Sequence, residues 1–288
     1  MDYLIHLAIL IAIYSILGLS LNLIVGYTGL FSIAHAAFYG IGAYSTALLL
    51  TRFEVNFFLS MLIGIMITLI ISLLAGIVLS RFSEDYYAIV SIGFAVIGFA
   101  VFLNWVWLTN GPVGIPGIDK PAVSNFVFSS NLSFLGLTLF FLGIIFLICR
   151  FIVNSSFGRV LKAIREDEKA IEVFGYNTTY YKLIIFVIGA LMTSIAGSLF
   201  GSYLSFVGPS MFMLRESIFI LVIIILGGLG NLYGSILGAL FLILLPEALR
   251  FVGLPGNIAA QMRQVIYGVK LILLMLYRPQ GFIGEYKL

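Results

Sequence analysis

Apolar runs of roughly 20 residues, the length an α-helix needs to cross a bilayer's hydrocarbon, follow one another along almost the whole chain. Only one long interval between them is rich in charge. The 15 basic and 12 acidic side chains are few for 288 residues, and nine of them fall within 154–182: Arg159, Lys162, Arg165, Glu166, Asp167, Glu168, Lys169, Glu172 and Lys182. Such an island belongs in water, while the sequence on either side belongs in lipid. The expected fold class is therefore all-α: a polytopic integral membrane protein with one elaborate soluble loop, 154–182, set within a single transmembrane unit spanning 1–288.

Composition agrees. The chain is 62% hydrophobic and 9% charged, against about 25% charged in soluble domains. The net charge of +3 comes from basic residues scattered among short loops, so no basic stripe offers a nucleic-acid surface. The single cysteine, Cys149, excludes an internal disulfide and reads as a small packed hydrophobe. The N-terminal run lacks a basic n-region and a small-residue cleavage site, so it reads as a retained first helix.

Hydropathy places spans at Leu4 to Val25, Phe31 to Leu50, Phe57 to Leu79, Tyr86 to Leu108, Leu132 to Val153, Leu183 to Val207 and Val265 to Tyr277. Ser217 to Leu245 is too long for one ordinary span, and Gly227, Gly228 and Gly230 fall in its middle. Glycines there free backbone groups that lipid cannot satisfy, so two short helices with a buried or re-entrant break are expected, making about eight spans. If 154–182 is cytoplasmic, alternation puts Arg81 on the same side, leaves Arg52 and Lys120 outside, and makes the N-terminus external. Arg278 and Lys287 then return to the cytoplasm, at the cost of leaving Arg250 and Arg263 outside. The segment Thr109 to Asn131, with Gly-Pro-Val-Gly-Ile-Pro-Gly at 111–117, is the longest external connection and is either a plain surface loop or a contact surface.

Enzymatic constellations are missing. His6 and His35 stand alone, with no metal-ligand spacing and no phosphate-cradling GxxxxGK[ST]. No cofactor or metal is expected, and the chain itself should not bind or hydrolyse ATP. Ionisable residues are scarce within the spans; Lys270 is the main exception, and it either snorkels toward water or joins a polar pathway.

A polar cluster surrounds the first helix boundary: Ser20, Asn22, Tyr27, Thr28, Ser32, His35 and Tyr39, interleaved with glycines. Ser32, His35 and Tyr39 are spaced three and four apart, which puts them on one helix face. Tight helix packing explains such a cluster; a translocation path lined by weak polar contacts explains it equally, with Asn22, Tyr27, Ser32, His35 and Tyr39 as its candidate residues.

In the charged island, Asn154-Ser155-Ser156 supplies N-cap candidates, Gly175 suits a helix C-terminus, and Asn177 and Thr178 can cap the next span. Val160, Ile164, Ile171 and Phe174 fall near one face, giving short amphipathic helices broken around Glu166 to Glu168. A mere connection needs about 2 to 8 residues, so the island reads as a docking surface for a cytoplasmic partner.

These residues resemble a family: the inner-membrane permeases of ABC importers for branched-chain amino acids, specifically the M-type subunit. The strongest element is GRVLKAIREDEKAIEVFGYNTTYYKLIIFVIGALMTSIAGSL at 158–200, similar to the family's ATPase-engaging loop. Support comes from NLIVGYTGLFSIAHAAFYGIGAY at 22–44, GPVGIPGI at 111–118, LGGLGNLYGSILGA at 226–239 and RPQGFIG at 278–284. Ala34 departs from the glycine usual before His35, and Lys270 from the usual apolar residue. The resemblance implies a heterodimer with a second permease in the bilayer, two cytoplasmic ATP-binding subunits and an external substrate-binding protein. It also implies that Arg159, Arg165, Glu166, Asp167, Glu168 and Gly175 serve ATPase docking. Leucine, isoleucine and valine are the typical ligands; sister members carry urea or other small solutes. A stand-alone carrier or channel is the reading from another class, and a membrane-embedded enzyme is the remote third.

Overall fold

The computed structural model of the chain describes residues 2–82, 84–123, 126–250, 268–269 and 281–283. Helix α1 (Asp2–Thr28) runs through the middle of the bundle, and every residue from Ser15 to Thr28 is buried. It can be apolar all round because protein covers it all round. Helices α2 (His35–Phe53), α3 (Phe57–Leu79) and α4 (Glu84–Asn104) follow, then a one-turn α5 (Val106–Thr109). On the outer helices Leu62, Ile70 and Leu74 of α3 and Ile89, Val96 and Ile97 of α4 are exposed, forming the apolar face such a helix turns toward lipid.

The connection after α5 is more ordered than a plain loop. Strand β1 (Ile115–Pro116) pairs antiparallel with a later strand, and β2 (Ala122–Val123) pairs with β3 (Phe126–Val127). Helix α6 (Asn131–Asn154) then crosses, capped by the Ser130 hydroxyl, which accepts from Ser133 N–H. Two short helices, α7 (Ser156–Glu166) and α8 (Glu168–Val173), lead into α9 (Thr178–Leu204), and β4 (Phe206–Val207) closes the pairing with β1. Helices α10 (Leu214–Gly227) and α11 (Leu232–Arg250) are bent 117° from each other.

Helix α9 fastens its neighbours through hydroxyls. Thr193 meets Ser20 of α1 at 3.0 Å, Ser194 accepts from Thr68 of α3 at 3.0 Å, and Ser198 accepts from Thr46 of α2 at 2.8 Å. Interhelical bonds of this kind average about 0.6 kcal/mol in a membrane; their weight here lies in fixing register. Backbones also touch: a Cβ at Gly42 of α2 would stand 2.1 Å from the Ser194 carbonyl of α9.

Among the described residues, five helices (α1, α3, α4, α6 and α9) are long and apolar enough to cross a membrane, six if the bent pair counts as one span. About eight are expected from hydropathy. Helix α2 falls short of that standard while being buried from His35 to Gly40 and from Gly42 to Ala47; a helix largely clad in protein needs little lipid-facing surface. The expected span Val265 to Tyr277, with Lys270, lies outside the described residues apart from 268–269, as do Arg263, Arg278 and Lys287.

The two membrane faces are distinct. Arg81 shares a cleft with Glu166, Glu168 and Lys182, so it lies on the face of the charged loop. Arg52 bonds the Trp107 carbonyl and the Asn110 side chain, and Lys120 bonds the Ser129 carbonyl, which puts both on the opposite face. The N-terminal end of α1 joins that opposite face, where His6 Nδ1 lies 2.6 Å from the Tyr203 hydroxyl near the end of α9.

Candidate functional site

The loop between α6 and α9 is built by its own caps. Ser155 accepts from Gly158 N–H to start α7, Asp167 accepts from Ala170 N–H to start α8, and Asn177 accepts from Tyr180 N–H to start α9. The expected break at 166–168 is thus an N-cap at Asp167. Helix α8 ends in a Schellman motif: Tyr176 N–H reaches the Ile171 carbonyl, Gly175 N–H reaches the Glu172 carbonyl, and Gly175 has φ +88. Glu168 pairs with the buried Lys182, and Glu172 accepts from the Thr178 hydroxyl at 2.7 Å, locking α8 onto α9.

Of the six expected docking residues, four hold the loop together. Asp167 and Gly175 shape its helices, Glu168 braces it, and Arg165 turns inward. Arg159 and Glu166 are exposed on the surface. The apolar face departs from expectation at one point: Ile164 is buried, but Phe174 is 77% exposed beside Val173 at 87%. Phe174 follows the end of α8 at its C-cap, so the helical period that aligned it with Ile171 no longer applies. The exposed tip borders a cleft of about 450 Å³ lined by Phe157, Arg159, Val160, Ile171, Tyr176 and Tyr181.

Arg165 links this loop to the membrane bundle. Its Nη1 donates to the Gly26 carbonyl at the end of α1, one of the carbonyls that a helix C-terminus leaves without an intrahelical partner. Its stem packs where a Cβ on Gly29 would be. One turn back, Asn22 spans from α1 to the break between α10 and α11. Its Nδ2 donates to the Asn231 carbonyl at 2.8 Å and the Ser235 hydroxyl at 2.7 Å, and its Oδ1 accepts from Gly230 N–H at 3.0 Å. The break itself has Gly228 at φ +118 and Gly230 at φ +76, and Gly227 lies so close to α11 that a Cβ would be 1.9 Å from the Gly234 carbonyl. The Leu226 and Gly227 carbonyls accept from Phe282 and Ile283 N–H, so part of the RPQGFIG element caps α10 on the loop face. Tyr27 faces the loop too, with Lys162 Nζ 5.6 Å from its ring centroid.

The expected helix face of Ser32, His35 and Tyr39 needs correction at Ser32. Helix α2 begins at His35, and 29–34 is not helical; Ile33 N–H goes to the Ser91 hydroxyl of α4 instead of an intrahelical carbonyl. All three side chains are nevertheless completely buried, and Ser32 Oγ, both His35 nitrogens and the Tyr39 hydroxyl have no hydrogen-bond partner among the described residues. Buried polar atoms are paired in the great majority of cases, so these four atoms are exceptions within the bundle. Asn22 differs: both of its N–H bonds are spent on protein. Above Tyr39, Phe200 and Phe212 pack against its ring with centroids 5.2 Å away.

Residues 3–275 match the model of a family described as the permease component of branched-chain amino acid transport systems. The chain belongs to this permease family. It is 33% identical to the high-affinity branched-chain amino acid transport permease LivM of Salmonella typhimurium, over 97% of this chain and 69% of that protein. Escherichia coli LivM is 32% identical over the same shares, while its LivH is 27% identical over 94% of this chain and 91% of LivH. No solved structure matches the chain.

As a permease of this family, it is a multi-pass membrane transport subunit, and the departures from the family pattern can be weighed. Ala34 takes φ −80 and ψ −3, an ordinary right-handed conformation, so the missing glycine brings no backbone strain. Sequence reasoning missed one permease residue of note, Glu216. It opens α10 and accepts from the Tyr14 hydroxyl at 2.6 Å. Its signal was present as an acid between apolar runs, but the expected segment began one residue later, at Ser217.

Proposed function

We propose that this chain is the M-type membrane subunit of an ATP-driven importer for branched-chain amino acids. It works beside a second permease, two cytoplasmic ATP-binding subunits and an external binding protein. The observation that carries this reading is the Arg165 to Gly26 bond: a solvated loop reaches into the bundle where Asn22 holds the α10–α11 break, so a push on the loop has a route to a broken helix. Within Salmonella typhimurium and within Escherichia coli, identity is higher to LivM, at 33% and 32%, than to LivH, at 27%, which supports the M-type assignment. The relatives' names support branched-chain amino acids over urea. Co-purified with its partners in proteoliposomes, the complex should take up leucine only with ATP and binding protein; uptake by the isolated chain would favour a stand-alone carrier.

The cytoplasmic side is assigned to 154–182 and the external side to the N-terminus, in a unit that comprises 1–288. In a Cys149→Ala background, Ser129→Cys should react with an impermeant thiol reagent on intact cells, and Ser156→Cys should not. Both positions are exposed; the reverse pattern overturns the orientation.

The path is assigned to Ser32, His35 and Tyr39, whose buried polar atoms no described residue satisfies, with Asn22 and Tyr27 supporting it from the transmission side. Replacing His35 by Leu removes two buried ring nitrogens that no described residue satisfies, so a purely packing role predicts equal or greater stability. Uptake is expected to fall by about fivefold, on the order of 1 kcal/mol for one lost polar contact, with assembly intact. Unchanged uptake would remove His35 from the path.

A further inference from the structure

Glu216 is an acid at mid-depth in the bundle. Its partner Tyr14 stands near the middle of the 27-residue α1, about 20 Å from either end at 1.5 Å per residue. One Tyr14 hydroxyl occupies only a fraction of a carboxylate's acceptor capacity. Arg215, next in sequence, is exposed. From α2, which packs against α10, the fully buried Tyr39 carries a hydroxyl with no partner among the described residues. The same two helices are joined one residue along, where the buried Ser217 hydroxyl accepts from Ala36 N–H at 2.9 Å. Thus α1, α2 and the start of α10 converge on a carboxylate, an open hydroxyl and the rings of Phe200 and Phe212.

An ionisable group inside a membrane is costly, and it occurs chiefly where it faces a pathway or a partner charge. We propose that Glu216 receives the α-ammonium group of the amino acid in transit, with Tyr14 orienting its carboxylate and Tyr39 offering its hydroxyl to the solute's carboxylate. This rests on the reading of the chain as an amino-acid permease. An ammonium neutralises the acid while the solute is bound, and its apolar side chain meets the aromatic rings. One charged contact and one neutral hydroxyl keep the site weak enough for release.

Glu216→Gln and Tyr14→Phe separate this role from a helix tie. Glutamine still accepts the Tyr14 hydroxyl but carries no charge; phenylalanine removes the hydrogen bond and leaves the charge. In proteoliposomes holding the assembled complex with ATP and binding protein, radiolabelled leucine uptake should fall about tenfold or more in Glu216→Gln, as expected for loss of a partly buried charge partner. Tyr14→Phe should lose only about threefold, on the scale of one hydrogen bond. Co-purification with the partner subunits and the thermal midpoint should match wild type in Glu216→Gln. Tyr14→Phe losing as much as Glu216→Gln, or Glu216→Gln retaining uptake, overturns the proposal; so does a fall in assembly or thermal midpoint in Glu216→Gln. Wild-type complex that fails to move leucine refutes the substrate reading instead.

Discussion

Arg165→Ala is expected to lower ATP-driven uptake by about tenfold or more while the protein stays in the membrane with its partners. The guanidinium donates to the Gly26 carbonyl from the solvated loop's first helix, whose Leu161 and Ile164 are buried beside it. A charge-assisted bond of this kind is worth about 1.5–3 kcal/mol, and about 1.4 kcal/mol is a factor of ten. Losing it frees the end of α1, and with it the Asn22 contacts that hold the α10–α11 break. Lysine should rescue poorly, because an ammonium lacks the planar fork and reach of arginine. Arg159 gives the contrast: its side chain is exposed and, among the described residues, bonds locally to the Ser156 hydroxyl. Arg159→Ala should weaken co-purification of the ATP-binding subunits, whereas Arg165→Ala should leave co-purification intact and uncouple it from transport. Reconstituted uptake and binding-protein-stimulated ATPase at wild-type levels in Arg165→Ala would show that this contact transmits nothing.

Gly175→Val is expected to cut uptake by about tenfold through backbone conformation alone. The glycine sits at φ +88, and no described residue lies within 4 Å of where its Cβ would be, its chain neighbours aside, so side-chain size is not the obstacle. A left-handed conformation costs an ordinary residue roughly 1–2 kcal/mol, more for a β-branched one. Valine therefore shifts the end of α8, moves the exposed Val173 and Phe174, and blurs the surface the loop presents. Asparagine, which tolerates this region, should retain most activity. Equal uptake in the Val and Asn variants would mean that the Schellman turn does not set the docking geometry.

Much of the loop was legible because caps are local. Ser155, Asp167, Gly175 and Asn177 act within a few residues of themselves, and their residue types suit those positions for reasons of backbone hydrogen bonding alone. The break at Gly228 and Gly230 was legible for the same reason, since positive φ favours glycine. Helical period misled at two ends: Ser32 precedes the start of α2, and Phe174 follows the end of α8, where period carries no information.

Membrane insertion, the all-helical class, the solvated island and the resemblance to a permease family were determined by the sequence itself, because each follows from local hydropathy, local backbone preference or linear motif. Tertiary structure alone decided what the charged and polar residues do. Arg165 and Gly26 are 139 positions apart, Tyr14 and Glu216 are 202 apart, and Asn22 reaches a break 208 residues away. Their meaning comes from close approach across the bundle, and that approach is set by how α1 is enclosed by its neighbours, a many-body packing outcome that no window along the chain contains.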